Sequence, residues 1–308
     1  MISIIVPVYN PGKRLSFLLD CIHNQSERDF EVLLIDDGSD DGSAGICDEF
    51  SKFDPRFRVF HQNNIGVSEA RNRGLETASG NFVTFLDADD EIPVDYLEVL
   101  FETLRQTDAD VAVCDVAIIK NDREINRFTH TPKELDVNSA LNLLLSRTKI
   151  NSGPCAKLFS RRVLRKIKFP RLKVYEDILF VRDVFANAQK IVVTNQTEYR
   201  YIQNVGSATD KNQKAPSLDV IKATDNLADF LRRRPELDSY CFYITISHMM
   251  QYALPLTKGQ DRESLRFTMG ARELLKKFKK DIVLCNAFPW KEKVLFMFYA
   301  YSGRFLCG

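Results

Sequence analysis

Patterns typical of buried strands and amphipathic helices alternate over the first 120 residues, and this alternation constrains the fold more than any other feature. The run SIIVPV at residues 3–8 is short, apolar and β-branched, as expected of a strand buried on both faces. After it, Leu15, Leu18, Leu19 and Ile22 recur with the spacing of an amphipathic helix. Strands separated by helices of this length form βαβ units. The sequence therefore predicts an α/β fold with a mostly parallel sheet flanked by helices.

The same patterns predict two parts of the chain, an α/β domain at 1–209 and a helical region at 210–308. In the first part, strands are expected at 31–35, 59–60, 81–86 and 110–119, and helices through 46 and at 67–77 and 93–104. Further on, we expect helices at 139–145, 162–168 and 178–188 and a pair of strands at 191–194 and 198–202. The polar stretch 210–217 is the best candidate linker. Beyond it, helices are expected at 218–233, 240–254, 261–279 and 291–306.

Composition excludes several classes of protein. The chain is 44% hydrophobic and 28% charged with a net charge of +1, so overall basicity gives no reason to expect nucleic-acid binding. Its seven cysteines are scattered and form no CxxC pair, which is typical of a reducing compartment. The first residues lack a secretory-signal pattern, and the apolar run at 294–301 is too short for a spanning helix. These features predict a cytoplasmic protein.

Polar residues that follow buried strands are the candidate site residues, because ligands bind beyond the carboxyl ends of parallel strands. Asp87 and Asp89 follow one such strand, and oxygen ligands of this kind suit Mg²⁺ or Mn²⁺. The alternative is a solvated acidic loop before the helix that begins near Pro93. After the second strand, Asp37 is suited to accept a hydrogen bond from a nucleobase N–H. A calcium-binding EF-hand loop, in which Asp37 would be position 1, is disfavoured because a strand precedes it.

Four motifs in the first 100 residues carry a resemblance to a known family. They are SIIVPVYN at 3–10, IDDGS at 35–39, NIGVSEARNRG at 64–74 and FLDADD at 85–90. In order and spacing they resemble the family 2 glycosyltransferases with the GT-A fold. The resemblance continues more thinly through KLF at 157–159, ED at 176–177, YRY at 199–201 and GS at 206–207. The last 100 residues resemble no family in particular.

The resemblance implies a nucleotide-sugar half at 1–120 and an acceptor half at 121–209. Tyr9 would stack on the base, Asp37 would accept from a uracil N–H, and Arg200 and Ser207 would lie in a mobile loop that closes over the donor phosphates. The loop lacks a second basic residue found in relatives, so Lys211 or Lys214 are alternatives. The residues implied for donor binding are Pro7, Val8, Tyr9, Asp37, Ser39, Asn64, Arg71, Asp87, Ala88, Arg200 and Ser207.

The remaining roles implied by the resemblance concern the reacting atoms. Arg71 would lie near the base and diphosphate, Asp87 would face the ribose or sugar, and Asp89 would hold the Mn²⁺ or Mg²⁺. Asp177 would be the general base, with Glu176 beside it. From the residues alone, this acidic pair is more typical of the N-cap and first turn of a helix.

The expected activity is metal-dependent, inverting transfer from a nucleotide-diphosphate sugar, UDP-linked, to a hydroxyl of a glycan or lipid-linked acceptor in surface polysaccharide synthesis. One alternative is a sugar nucleotidyltransferase, which would need a better glycine-rich basic loop than PGKR at 11–14. Another is a non-catalytic module that binds nucleotide-sugars. Neither the sugar nor the oligomeric state is indicated.

The last helical segment combines basic and aromatic residues. Residues 210–308 carry 17 Lys and Arg against 11 Asp and Glu, including KKFKK at 276–280. Such a segment is suited to peripheral contact with anionic lipid. Contact through 276–306 would place the enzyme at the inner face of the cell membrane. The alternative is a helix that packs on the protein with solvated lysines.

Overall fold

The computed structural model of the chain describes residues 1–203, 217–253 and 262–302. It divides into two compact units, Met1–Asn204 and Val205–Gly308. The border predicted near residue 209, and the stretch 210–216 of the predicted linker, lie outside the described residues.

Unit 1 alternates strands and helices, which confirms the predicted α/β class. Its strands are β1 (Ile2–Val8), β2 (Phe30–Asp36), β3 (Phe57–His61), β4 (Phe82–Phe85), β5 (Val111–Lys120), β6 (Arg123–Phe128), β7 (Lys133–Leu135), β8 (Lys157–Ser160) and β9 (Ile191–Gln203). Its helices are α1 (Arg14–His23), α2 (Ser43–Phe53), α3 (Val67–Thr77), α4 (Tyr96–Thr107), α5 (Val137–Leu145), α6 (Arg161–Leu164) and α7 (Glu176–Asn187).

The strands form one mixed sheet in the order β3-β2-β1-β4-β8-β5-β9-β7, with β6 added to β5. The pairs β1–β2, β1–β4, β2–β3 and β5–β9 are parallel, whereas β8 runs antiparallel between β4 and β5. Every residue of β2 is buried, as expected of a strand covered on both faces. Because β1, β2 and β4 are parallel neighbours, their carboxyl ends meet at one edge of the sheet.

Three differences from the predicted elements lie after residue 119. The predicted strand pair at 191–194 and 198–202 is one strand, β9, because both segments pair with β5 across a register shift between Val113 and Asp115. The strands β6, β7 and β8 were not predicted, since β6 is almost entirely exposed and the other two are very short. The helix predicted at 162–168 is the single turn α6, and Lys166 beyond it has a left-handed φ of 66°.

Unit 2 is helical in its described part, as predicted. Its helices are α8 (Asp219–Arg232), α9 (Ser239–Ala253), α10 (Arg262–Lys277), α11 (Lys279–Leu284) and α12 (Trp290–Ser302). The helix predicted at 261–279 is α10, and the fully buried Phe278 separates it from the short helix α11. Leu284 and Trp290 are 77% and 71% exposed. Among the described helices, none has both the length and the apolar character needed to cross a membrane.

Candidate functional site

The loops after β1 and β2 are tied together at the carboxyl edge of the sheet. The backbone N–H of Asn10 donates to Ser39 Oγ at 3.2 Å, and the Asn10 side-chain amide donates to Asp40 Oδ1 at 2.8 Å. The backbone N–H of Gly12 donates to Asp41 Oδ2 at 2.8 Å. Asn10 adopts a left-handed φ of 52°, which an asparagine tolerates better than most residues. The two loops therefore form one wall, and Ser39 helps to build it.

Of the three residues at the end of β1 that were predicted to bind the donor, only one presents a large exposed side chain. Tyr9 is 55% exposed, Pro7 is half-buried, and the side chain of Val8 is fully buried in the core. The Val8 carbonyl accepts from the backbone N–H of Asp37 at 2.8 Å. Tyr9 is thus free to stack on a planar group, whereas Val8 holds the two strand ends together.

Asp37 is buried and organises the loop that leads into α3. Its Oδ1 accepts from Gln62 Nε2 at 2.8 Å and from the Ile65 backbone N–H at 3.0 Å, and its Oδ2 accepts from the Gly66 N–H at 2.8 Å. Since an ionised carboxylate offers about four acceptor positions, Oδ2 retains room for one further donor. Asn64 is exposed in the same loop.

Arg71 on α3 joins residues that are distant in sequence. Its Nη2 donates to Asp87 Oδ1 at 2.9 Å and its Nη1 donates to Glu176 Oε1 at 3.1 Å. The guanidinium also lies over the Phe169 ring, 5.3 Å from its centroid. The structure therefore brings together three of the predicted site residues in one buried network at the sheet edge.

The acidic run after β4 is divided between the surface and the interior. Asp87 and Asp89 are half-buried, and Ala88 and Asp90 are buried. Asp90 accepts from Tyr199 Oη at 2.5 Å and from the backbone N–H of Ile202 at 2.8 Å. Burial raises the pKa of Asp90 well above its ordinary value, and the nearby carboxylates of Asp87 and Asp89 raise it further.

Glu176 and Asp177 open the helix α7, where a helix dipole favours negative charge. Glu176 is buried against Arg71, and Asp177 is half-buried. Burial raises the pKa of Asp177, while the N–H of Ile178 and the charge of Arg71 act in the opposite direction. Burial likewise raises the pKa of Glu176, followed by the effect of Asp177. The pair thus lies in the first turn of α7 and is also connected, through Arg71, to Asp87.

The location predicted for Arg200 in a mobile loop was wrong. Arg200 lies within β9, and its backbone exchanges hydrogen bonds with Glu91 at 3.0 and 3.1 Å. Its guanidinium also pairs with the Glu91 carboxylate at 3.2 Å. The strand extends to Gln203 because β5 pairs with it that far. Ser207, Lys211 and Lys214 lie outside the described residues.

Two residues of the site region lie in motifs that carry the resemblance but were given no role. Tyr199 accepts from the Asp87 backbone N–H at 3.1 Å while it donates to Asp90, so it fixes the acidic run. Lys157 is fully buried, and its Nζ donates to the carbonyls of Asn151, Gly153 and Cys155 at 2.9, 2.7 and 3.2 Å. Burial lowers the pKa of Lys157 to about 8. Each is a polar residue inside an apolar strand pattern, and this feature of the sequence could have indicated a structural role for both.

The charge of the acidic run fits a divalent cation. In the part of the chain that the structure describes, no three His, Cys, Asp or Glu side chains form a complete metal cage. Mg²⁺ and Mn²⁺ do not need one, because such ions keep several waters and bind through one or two carboxylates and substrate phosphates. Burial raises the pKa of Asp90, and the carboxylates of Asp87 and Asp89 raise it further, so negative charge is concentrated at this strand end although Arg71 pairs with Asp87. Asp89, the predicted metal ligand, is half-buried in this run.

Comparisons with known proteins agree with this geometry. The family model described as Glycosyl transferase family 2 matches residues 3–168. "Glycosyltransferase GlyA" of Streptococcus pneumoniae serotype 4 is 34% identical over 215 residues, which cover 67% of this chain but only 31% of that protein. Among solved structures, S. aureus TarS 1–349 in complex with UDP-GlcNAc is similar with a TM-score of 0.78 and 23% identity, over 98% of this chain and 87% of that one. The mannosyltransferase PcManGT from Pyrobaculum calidifontis, in complex with GDP-Man and Mn²⁺, has a TM-score of 0.56 and 16% identity, over 98% and 86%.

Proposed function

Since this chain belongs to glycosyltransferase family 2 and is a glycosyltransferase, we propose that it moves a sugar from a UDP-sugar donor to a hydroxyl of a glycan or lipid-linked acceptor, with inversion, during surface polysaccharide synthesis. The observation that carries the proposal is the convergence of a stacking residue, an acceptor carboxylate, the Arg71 network and an acidic pair on one sheet edge. The similar TarS structure binds UDP-GlcNAc, which supports a uridine donor.

In the proposed donor site, Tyr9 stacks on the base and Asp37 Oδ2 accepts from the ring N–H. The exposed ring of Tyr9 and the remaining acceptor position of Asp37 support these two roles. Asp87 faces the ribose or sugar, and its pairing with Arg71 fixes the carboxylate in place. Arg200 and Ser207 contact the donor phosphates, for which Arg200 has to exchange its Glu91 partner.

Asp89 is proposed to hold the divalent ion, which supplies positive charge for the departing diphosphate. The excess of carboxylates at this strand end supports a cation, and PcManGT is a similar structure with Mn²⁺. The proposed ion is Mn²⁺ or Mg²⁺.

Asp177 is proposed as the general base. In the reaction, the acceptor oxygen forms a bond to the anomeric carbon, the bond to the diphosphate breaks, and the hydroxyl proton passes to the Asp177 carboxylate. The raised pKa of Asp177 supports this role, because a base works best with a pKa close to the operating pH. Glu176 pairs with Arg71, and its proposed role is to position the neighbouring Asp177.

Two wider features complete the proposal. The nucleotide-sugar half at 1–120 and the acceptor half at 121–209 form the transferase domain, and 210–308 is a helical region. Contact through 276–306 with anionic lipid keeps the enzyme at the inner face of the membrane, and the exposed Trp290 and Leu284 support this contact.

Calorimetric titration of UDP and of GDP, with Mn²⁺ and then with EDTA, tests the donor and metal assignments. We expect UDP to bind more tightly than GDP, and EDTA or Asp89→Ala to weaken this binding. Asp177→Asn should bind UDP like the wild type but lose transfer by roughly 10²–10⁴-fold. Wild-type transfer by Asp177→Asn would remove it as the base. If folded protein with metal binds neither nucleotide, the donor proposal fails.

A further inference from the structure

An arginine and a tyrosine stack directly beside the acidic pair of α7. Arg147 follows the helix α5, and its guanidinium carbon lies 5.1 Å from the centroid of the Tyr175 ring. Tyr175 immediately precedes Glu176 and Asp177 in the chain. The helices α5 and α7 pack against each other, so this stack is held between two elements of the proposed acceptor half.

The backbone at both residues is unusual. Arg147 has a φ of 55° and Tyr175 has a φ of 65°, which are left-handed values that residues other than glycine seldom adopt. Conformations of this kind persist where the surrounding structure fixes them, and they cluster at binding and catalytic sites. The two residues thus combine this backbone conformation with the contact between the guanidinium and the ring.

The guanidinium of Arg147 keeps its hydrogen-bonding capacity. Over the described ranges, it makes its aromatic contact but has no hydrogen-bond or ion-pair partner, whereas Nη1 and Nη2 of Arg71 are paired with Glu176 and Asp87. Arg147 is half-buried, and its charge lowers the pKa of Asp177. A planar guanidinium that is stacked on one face still offers its N–H edge to a carboxylate or phosphate.

We propose that Arg147, stacked on Tyr175, forms an acceptor subsite that binds an oxyanion of the acceptor, a phosphate or a carboxylate. This inference rests on the proposed function, because it places the anion next to the hydroxyl that Asp177 would deprotonate. A bound anion beside that hydroxyl orients the acceptor for attack. The subsite also selects charged acceptors over neutral ones of the same size.

The test uses the full chain with 3-fluorotyrosine at position 175 and follows its ¹⁹F chemical shift. Saturating UDP and Mg²⁺ are present, so that added anions do not enter the donor diphosphate site. The probes are methyl phosphate, methyl β-D-glucuronide and the neutral methyl β-D-glucoside. We expect a saturable shift with one or both anions and none with the neutral sugar. A response to methyl phosphate alone would assign a phosphate ligand, and a response to the glucuronide alone would assign a carboxylate.

Arg147→Gln should weaken the response to the anion by roughly 10–100-fold, the effect of losing charge-assisted hydrogen bonds. Arg147→Lys should retain part of it. Arg165→Gln, which removes the same charge from an exposed position, is the matched control and should respond like the wild type. The proposal is overturned if neither anion shifts the signal, if the glucoside shifts it equally, or if Arg147→Gln leaves the response unchanged. UDP binding, measured on the same samples, separates failure of the subsite from failure of the donor site.

Discussion

Arg71 connects two carboxylates that are far apart in the chain and different in proposed role. Asp87 follows β4 and is proposed to face the donor, whereas Glu176 begins α7 beside the proposed base, and both lie within 3.1 Å of the guanidinium. A buried arginine with two carboxylates is costly to disrupt, because the remaining charges stay in a poorly solvated place. This single side chain therefore fixes the distance between the donor and acceptor sides of the site.

We expect Arg71→Ala to lower the free energy of unfolding by about 3–5 kcal/mol, since the buried Glu176 and the half-buried Asp87 would both lose their partner. Chemical denaturation measures the change. Arg105→Ala removes an exposed arginine that pairs with Glu102 on α4, and it should be indistinguishable from the wild type. Equal losses in the two variants would contradict the role of the buried network.

The sequence indicates which candidate residues follow strands or begin a helix, but not their partners. Asp37, Asp87, Asp89 and Asp177 follow strands or begin a helix, which a pattern along the chain can predict. The pairing of Arg71 with Glu176 joins residues 105 positions apart and depends on how α7 packs, which no local pattern contains. The contact of Tyr199 with Asp90 was missed for the same reason.

At the scale of elements, Glu31 ties the start of four strands together. It lies on β2 and accepts from Ser3 on β1, from Arg58 on β3 and from both the N–H and the hydroxyl of Ser79 before β4, at 2.6–2.9 Å. Although burial alone would raise its pKa, the bonds from Ser79, Ser3 and Arg58 lower it to about 2. The amino-terminal edge of the sheet thus depends on an ionised carboxylate.

This carboxylate predicts an acid-sensitive stability. The folded-state pKa of Glu31 lies below its ordinary value of 4.5, so its contribution is complete above that pH and is lost as the pH falls toward 2. The difference is equivalent to about 3 kcal/mol. Denaturation of wild type and Glu31→Gln at a series of pH values should show the two converging in acid. A constant difference between them at all pH values would contradict this assignment.

The loop after β2 requires glycine at position 38. Gly38 has a φ of 77°, and a Cβ there would lie 3.0 Å from the backbone nitrogen of Asn64. Gly38→Ala should destabilise the protein by about 1–3 kcal/mol and weaken UDP binding, because Asp37 is the adjacent residue. Gly45→Ala on α2 meets no atom within 4 Å and should stabilise the helix by about 0.5–1 kcal/mol. Thermal unfolding and UDP titration of both variants check the contrast.

Elements with a strong periodic pattern were predicted well, and those defined by pairing were not. The helix at 67–77 has the predicted bounds, and the GT-A type α/β architecture that the resemblance implied is confirmed by the family match and the solved structures. The strand β8 has only four residues and contains a fully buried lysine. Its place between β4 and β5 arises from tertiary pairing, which the sequence does not encode locally.

At the scale of the whole molecule, the chain carries its own reporter of lipid contact. Trp290 is the single tryptophan, it is exposed, and Lys291 lies over its ring at 5.9 Å. If 276–306 contacts anionic lipid, vesicles that contain phosphatidylserine should shift the Trp290 emission to shorter wavelength, and added salt should reverse the shift. Uncharged vesicles should have little effect.

Charge-reversal variants test whether the lysines of this segment cause the shift in Trp290 emission. Lys291→Glu with Lys293→Glu should abolish the shift, whereas Lys52→Glu on α2, an exposed lysine of unit 1, should leave it in place. An unchanged emission of the wild type with anionic vesicles would favour the alternative, in which the segment only packs within the protein.

The position of β8 affects which segments can be exchanged between members of the family to make chimaeras. The proposed nucleotide-sugar half ends at residue 120, yet the strand that joins its β4 to β5 comes from residues 157–160. A nascent chain that stops before residue 157 leaves β4 with an open edge, which invites pairing with other chains. In a chimaera that joins residues 1–120 to a foreign acceptor half, the strand between β4 and β5 would come from the foreign part. Moving residues 1–203 as one block keeps every strand of this sheet from one parent.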